Sequence, residues 1–255
     1  GDFPLAGASI SDIERFDWPD PEDFDYAVTA EALESVTDHA RFVRSVYAVQ
    51  HEGLSRVEAA RGGGHQLPMR VGGWLPLICT LFDLFGLEET LINFRAEPKI
   101  IEAAVSRLEE FVLGFTRRQL EATKGATDVY WYGDDFATQR GIMISPDLWR
   151  KYLLPTYGKI FELAKGYGLK MWFHSCGTFR PVLPDLIDAG MDVWETVQVH
   201  LPGNEPEVLK REYGQDIAFY GAINSQQTMP LGTPEDVRAE VRERVRVLGK
   251  GGGYI

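Results

Sequence analysis

Apolar and polar positions in the second half of the chain follow a repeating order. From residue 128 onward, a short run of apolar, β-branched and aromatic residues is followed by a polar turn and then by a stretch with helical spacing. This order predicts strands at 128–132, 169–173, 192–197, 217–220 and 253–255, and helices at 146–166, 180–189, 205–213 and 234–248. Strands that alternate with helices in this way indicate parallel βαβ units.

Such units build either an open doubly wound sheet or a closed barrel. A Gly-x-Gly-x-x-Gly motif after the first strand would favour a dinucleotide-binding sheet, and none is present. The glycine run at 62–64 follows a charged, helix-like segment instead. We therefore expect an α/β fold of the TIM (β/α)8 barrel type, whose active site lies at the carboxyl ends of the strands.

The pattern before residue 128 is less regular. It predicts helices at 29–45 and 97–124 and an early strand at 47–49. We expect residues 1–255 to form one barrel domain, with an irregular part at 1–127 and regular β/α units at 128–255. The chain starts at Gly1 rather than Met and ends in a run that resembles the beginning of a strand, so we expect the barrel to be truncated at both ends.

Composition narrows the choice of partners. The 255 residues carry a formal net charge of −12, which argues against nucleic acid and anionic membrane surfaces as partners but allows an anionic small molecule in a locally basic pocket. No run of 18 apolar residues is present, so no transmembrane helix is predicted. The chain contains only two cysteines, too few for a secreted disulfide framework, and a cytoplasmic location is expected. Nothing in the sequence indicates the oligomeric state.

Ligand-type side chains follow several predicted strands directly. His174 and Cys176 stand two positions apart after the strand at 169–173, and an imidazole and a thiolate at that spacing can bind one Zn²⁺ ion. Glu195, at the end of the next strand, is the predicted third ligand. The alternative is that Cys176 is a small buried residue and that His174 makes a single hydrogen bond.

The remaining candidates are polar residues in the same group of loops. Asp134 and Asp135 are the predicted catalytic pair; since neighbouring side chains diverge, one would act on substrate and the other would cap a turn or pair with a cation such as Arg140. A solvated Asp-Asp turn is the alternative. Predicted substrate-binding residues are Gln198, His200 and Asn224. Structural roles are expected for Cys79 in an apolar run and for Trp131, Trp172 and Trp194 in predicted strands.

Several segments resemble the uroporphyrinogen decarboxylase superfamily. They are 134–146 (DDFATQRGIMISP), 154–155 (LP), 173–177 (FHSCG), 220–224 (YGAIN) and 13–21 (IERFDWPDP). This superfamily has a TIM-barrel fold, in agreement with the pattern above. It includes metal-free decarboxylases of tetrapyrroles and zinc-dependent methyltransferases that move a methyl group between a corrinoid protein and a thiol or folate.

The resemblance favours the methyltransferase branch. The His-x-Cys-Gly motif of those enzymes matches His174, Cys176 and Gly177, and their last zinc ligand is a cysteine after the final strand, a position that would fall beyond Ile255. The arginine-rich motif of the decarboxylases is absent from this sequence. The resemblance therefore implies Zn²⁺ as cofactor, a corrinoid as methyl carrier on a partner protein and a small-molecule substrate. A metal-free decarboxylase and a catalytically silent barrel are the alternatives.

Overall fold

In the part of the chain that the structure describes, five parallel strands form the main sheet. The computed structural model describes residues 3–26, 70–124 and 127–255, so the helix predicted at 29–45, the strand at 47–49 and the glycines at 62–64 lie outside the described residues. The strands of the main sheet are β1 (Arg70–Gly73), β2 (Val129–Gly133), β5 (Lys170–His174), β6 (Val193–Glu195) and β7 (Ala218–Phe219). A separate antiparallel hairpin consists of β3 (Ala137–Thr138) and β4 (Gly141–Ile142).

Helices precede and connect these strands. They are α1 (Ile10–Arg15), α2 (Leu77–Phe85), α3 (Leu87–Ala96), α4 (Pro98–Ala122), α5 (Pro146–Tyr152), α6 (Leu154–Gly166), α7 (Leu183–Ala189), α8 (Pro206–Tyr213), α9 (Thr228–Leu231) and α10 (Pro234–Leu248). Short 3₁₀ turns lie at Pro21–Asp23 and Arg180–Val182. None of the helices in the described ranges is long and apolar enough to cross a bilayer.

The strand order identifies the way in which the sheet is wound. The order β1-β2-β5-β6-β7 follows the chain, and every neighbouring pair is parallel. Tyr254 continues the series through a parallel bridge to Phe219. A doubly wound sheet would reverse direction at a switch point, whereas a barrel adds each strand on the same side. The predicted barrel winding is confirmed.

Side chains on the two faces of the sheet have different surroundings. Residues on the helix-facing side are fully buried, and they include Tyr130, Tyr132, Met171, Phe173, Trp194 and Phe219. Helix α6 packs on this side, with the ring of Phe161 5.7 Å from that of Phe173, and Thr116 of α4 lies 2.8 Å from the Tyr130 hydroxyl. The opposite side, called the inner face below, carries Trp131, Trp172, His174 and Glu195, which are only partly buried.

The structure differs from the predicted elements at several positions, including one helix and one strand. The helix predicted at 146–166 is two helices, because Pro155 has no N–H to continue the hydrogen-bond ladder and the chain restarts at Leu154. The strand β1 was not predicted, since Arg-Val-Gly-Gly has neither an apolar run nor clear alternation. Gly72 is required there: it has φ +124°, and a Cβ atom would lie 1.9 Å from the carbonyl oxygen of Trp131. The predicted helix at 97–124 is confirmed as α4.

Asp192, which precedes β6, forms hydrogen bonds with residues of β5 and of the helix before it. Its carboxylate accepts hydrogen bonds from the Met171 N–H at 2.8 Å, Lys165 Nζ at 2.9 Å and Lys170 Nζ at 3.1 Å. Burial alone would raise the pKa of Asp192, but these three donors outweigh it and hold the pKa below its ordinary value. The charged carboxylate is therefore favoured in the folded chain.

Asp192→Asn is expected to lower the free energy of unfolding by about 1 kcal/mol at pH 7, because the backbone bond is weakened and the lysine partners are partly solvated. Since the folded-state pKa is lowered, the carboxylate stabilises fully above its ordinary value of 3.8 and loses this contribution as the pH falls through the folded-state value. Urea unfolding at pH 7 and pH 3 should show the difference from wild type shrinking at the lower pH. The matched control is Asp147→Asn, because the side chain of Asp147 is 95% exposed. If Asp192→Asn lost the same free energy of unfolding at pH 7 and at pH 3, the stabilising role of the charged Asp192 carboxylate would be contradicted.

Candidate metal centre

The carboxyl ends of three neighbouring strands meet in register. Gly133 at the end of β2 pairs with His174 at the end of β5, which pairs with Glu195 at the end of β6. Paired residues of parallel strands lie on the same face, so the side chains of His174 and Glu195 both belong to the inner face. The loops that follow β2 and β5 add Asp135 and Cys176 at the same edge.

Three metal-ligand atoms converge above this edge. Within the described part of the chain, Asp135, His174 and Cys176 are the group of His, Cys, Asp or Glu residues whose ligand atoms all lie within 4.8 Å of one another. His174 Nε2 is 3.8 Å from Cys176 Sγ and 3.7 Å from Asp135 Oδ1. The Cys176 N–H also donates to Asp135 Oδ1 at 2.7 Å, which fixes the two loops together. An imidazole, a thiolate and a carboxylate form a donor set that suits Zn²⁺ and leaves a fourth position for another ligand.

Glu195 contacts the other nitrogen of the same imidazole. Its Oε1 is 3.4 Å from His174 Nδ1, while its Oε2 accepts a hydrogen bond from Trp131 Nε1 at 3.0 Å and lies 3.7 Å from Arg70 Nη1. Carboxylates at this position commonly orient a metal-binding histidine. The predicted role of Glu195 as a direct ligand stays a prediction. The donation by Trp131 was missed, because an indole in a predicted strand was assigned to the barrel wall.

Charge around the imidazole favours a cation. Burial lowers the pKa of His174, but its hydrogen bonds with Cys176 and Glu195 and the nearby Asp135 charge outweigh burial and raise the pKa to about 9. Burial conversely raises the pKa of Glu195, and the contacts with His174, Trp131 and Arg70 bring it below its ordinary value. Two carboxylates and a thiol therefore surround a place where positive charge is stabilised.

Asp134 points away from this cluster. It is fully buried, and its carboxylate accepts hydrogen bonds from the N–H groups of Leu77 at 2.8 Å and Ile78 at 2.9 Å and from the Tyr157 hydroxyl at 2.7 Å. Burial raises the pKa of Asp134 to about 6, against the effect of these donors. The two aspartates diverge as expected, and Asp134 caps helix α2, one of the two roles expected for the aspartate that does not act on substrate. Its predicted catalytic role stays a prediction.

Close backbone packing shapes the loop that carries Cys176. Gly177 has φ +85°, and a Cβ atom there would lie 2.5 Å from the carbonyl oxygen of Thr138 in the β3–β4 hairpin. The Thr178 N–H donates to that same oxygen at 3.0 Å. Glycine in the His-x-Cys-Gly motif thus lets the hairpin lie directly on the loop.

The three predicted substrate-binding residues occupy different positions. Gln198 Oε1 accepts from the Gly177 N–H at 2.7 Å, so this side chain supports the Cys176 loop. Asn224 Oδ1 accepts from the N–H groups of Gln226 and Gln227 at 3.0 and 3.1 Å and closes a turn after β7. His200 is exposed. Contact of these residues with a substrate stays a prediction.

An aromatic side chain not singled out in the sequence lies beside the cluster. Trp74, which follows β1, is 46% exposed, and its ring lies 5.7 Å from that of His174 and 6.2 Å from that of Trp131. Gly133 permits this placement, since a Cβ atom there would lie 2.7 Å from the indole of Trp74. Its position could have been inferred only by knowing that β1 precedes it.

Comparison with known proteins agrees with the fold. The family model described as uroporphyrinogen decarboxylase (URO-D) matches residues 27–255. A protein of Methanosarcina mazei named methylated-thiol--coenzyme M methyltransferase is 26% identical over 201 residues, covering 75% of this chain and 51% of the relative. A solved structure, described as a methyltransferase from Methanosarcina mazei, superposes with a TM-score of 0.57 at 21% identity, over 72% of this chain and 51% of that chain. The chain thus spans about half the length of these relatives, and the structural likeness supports the TIM-barrel fold.

Proposed function

This chain belongs to the uroporphyrinogen decarboxylase family, and from that premise we propose that it acts as a zinc-dependent methyltransferase between a corrinoid and a thiol or folate acceptor. The observation that carries the proposal is the convergence of Asp135, His174 and Cys176 on one point at the carboxyl ends of the strands. The relative named as a methyltransferase supports the same class of activity.

Four residues of the chain would have separate roles in such a site. His174 through Nε2, Cys176 through Sγ and Asp135 through Oδ1 would hold the metal, and Glu195 would orient His174 from Nδ1. Zinc, when bound, lowers the pKa of a thiol acceptor and so favours attack on a methyl group. The indole of Trp74 packs edge-to-face beside His174, with ring centroids 5.7 Å apart.

Partners follow from the same proposal. A corrinoid protein would present the methyl group at the mouth of the barrel, and the acceptor would be a small molecule. Both cysteines are free, which suits a reducing, cytoplasmic location for a site that depends on a thiolate.

A metal-free decarboxylase is the alternative within the family. In that reaction an aspartate faces the substrate's pyrrole nitrogens, and Asp134 has both carboxylate oxygens engaged inside the protein. Asp135 would have to take that role, although it also accepts from the Cys176 N–H. These contacts favour the methyltransferase.

The test combines metal content with two assays. The protein, purified without added metal, is expected to contain about one zinc per chain by elemental analysis and to transfer methyl groups from methylcobalamin to a thiol or a folate only when zinc is present. Absence of zinc after reconstitution, together with decarboxylation of uroporphyrinogen, would establish the alternative. Absence of zinc and of both activities would indicate a catalytically silent barrel.

A further inference from the structure

We propose that Trp131 is a positioning residue of the metal centre, whose indole N–H holds the Glu195 carboxylate so that Glu195 in turn fixes the ring of His174. The inference rests on the proposed zinc site. It assigns a role in metal binding to an indole that cannot itself be a ligand.

The two carboxylate oxygens of Glu195 have separate partners. Oε2 accepts from Trp131 Nε1 at 3.0 Å, and Oε1 faces His174 Nδ1 at 3.4 Å. Rotation of the carboxylate toward either partner would break the contact with the other. With a side chain that is only 13% exposed, Glu195 has little water to replace the indole donor if it is lost.

The indole is itself held in place by its neighbours. The guanidinium of Arg70 lies 5.1 Å from the ring centroid of Trp131, and the ring of Trp74 lies 6.2 Å away. The Trp131 backbone is paired in β2 between β1 and β5, and Gly72 allows the closest approach on the β1 side. The donor therefore reaches Glu195 from a fixed position in the sheet.

The consequence for metal binding is pre-organisation. An imidazole that is already oriented loses less rotational freedom when its Nε2 binds a metal, and loss of an outer partner commonly lowers metal affinity 10- to 100-fold. Of the inner-face indoles, only Trp131 donates to this carboxylate among the described residues. Trp172 is the neighbour of Trp131 on the same face, and within the described ranges the Nε1 of Trp172 has no hydrogen-bond partner.

That difference provides a matched pair of variants. Trp131→Phe removes the donor and part of the ring, whereas Trp172→Phe removes the same atoms without breaking a hydrogen bond. Zinc affinity, measured by competition with a chromophoric chelator, is expected to fall about tenfold or more in Trp131→Phe and to stay within about threefold of wild type in Trp172→Phe. Thermal unfolding of the metal-free variants separates this effect from a general loss of stability.

A double-mutant cycle tests whether the effect passes through Glu195. In a Glu195→Ala background, Trp131→Phe should change zinc affinity by less than about threefold, because its partner is gone. Equal losses for Trp131→Phe and Trp172→Phe, or an undiminished effect of Trp131→Phe without Glu195, would overturn the positioning role while leaving the zinc site intact. Absence of zinc from wild type would instead refute the proposed function. If Trp131→Phe fails to fold, Glu195→Gln, which keeps the size of the side chain but weakens its acceptance from the Trp131 and His174 N–H groups, should lower zinc affinity, and wild-type affinity in that variant would overturn the positioning role.

Discussion

Cys176→Ser is expected to remove stoichiometric zinc from the protein. The thiolate is the strongest donor of the cluster, lying 3.8 Å from His174 Nε2, and a serine hydroxyl stays protonated near neutral pH. Zinc sites bind with about 10–16 kcal/mol, so the loss of one ligand among four costs about 3 kcal/mol, or about two orders of magnitude in affinity. Elemental analysis after dialysis against a weak chelator should find zinc in wild type and almost none in the variant.

The second cysteine of the chain serves as the control. Cys79 is free and partly buried near the same loops, burial raises the pKa of its thiol to about 12, and it lies outside the group of converging ligand atoms. Cys79→Ser should keep its zinc. Retention of stoichiometric zinc by Cys176→Ser, or loss of it from Cys79→Ser alone, would refute Cys176 as a ligand.

The strands that carry the centre were predictable from local patterns. The apolar runs before His174 and Glu195 have strand period, and residues that end parallel strands meet at one edge. This logic placed His174, Cys176 and Glu195 together without any knowledge of tertiary contacts. Their closeness is therefore a direct consequence of the βαβ pattern.

The orientation of these side chains at the carboxyl edge of the sheet was not predictable from the same patterns. Which nitrogen of His174 faces Asp135 and which faces Glu195 depends on the loop after β2, where the Cys176 N–H binds Asp135. The sequence therefore ranked Glu195 as a ligand and Asp134 and Asp135 as the catalytic pair, whereas the distances place Asp135 with His174 and Cys176 in the candidate metal cluster. The conformation of the loop after β2, which is set by long-range hydrogen bonds, decides which carboxylate lies beside Nε2 of His174.

Which helix Asp134 caps could not be predicted, for a related reason. Its partners belong to helix α2, which was not predicted because the apolar stretch around it has no side-chain cap of its own: Pro76 at the N-cap position offers no acceptor. The acceptor comes instead from Asp134, 57 residues from Leu77 in the chain. A cap supplied from another segment leaves no local signal in the sequence.

Asp134→Ala is accordingly expected to cost about 3–4 kcal/mol in the free energy of unfolding. The substitution removes the acceptor for the Leu77 and Ile78 N–H groups and for the Tyr157 hydroxyl, all buried, and leaves a cavity at a fully buried position. Loss of a cap costs about 1 kcal/mol, and each buried donor without an acceptor adds about 1 kcal/mol or more. For a chain of this size the loss corresponds to a Tm lower by about 10 °C, measurable by calorimetry.

Two further variants separate the cap from other effects of the substitution. Asp134→Asn keeps the shape and one acceptor oxygen, so its cost should be about half as large. Thr233→Ala removes an exposed cap from α10 and should cost only about 1 kcal/mol, because water can satisfy the freed N–H groups. Since Asp134 faces away from the metal donors, Asp134→Asn should still bind zinc. An Asp134→Ala protein as stable as wild type would contradict the capping role, and an Asp134→Asn protein that is stable yet inactive would return Asp134 to the catalytic residues.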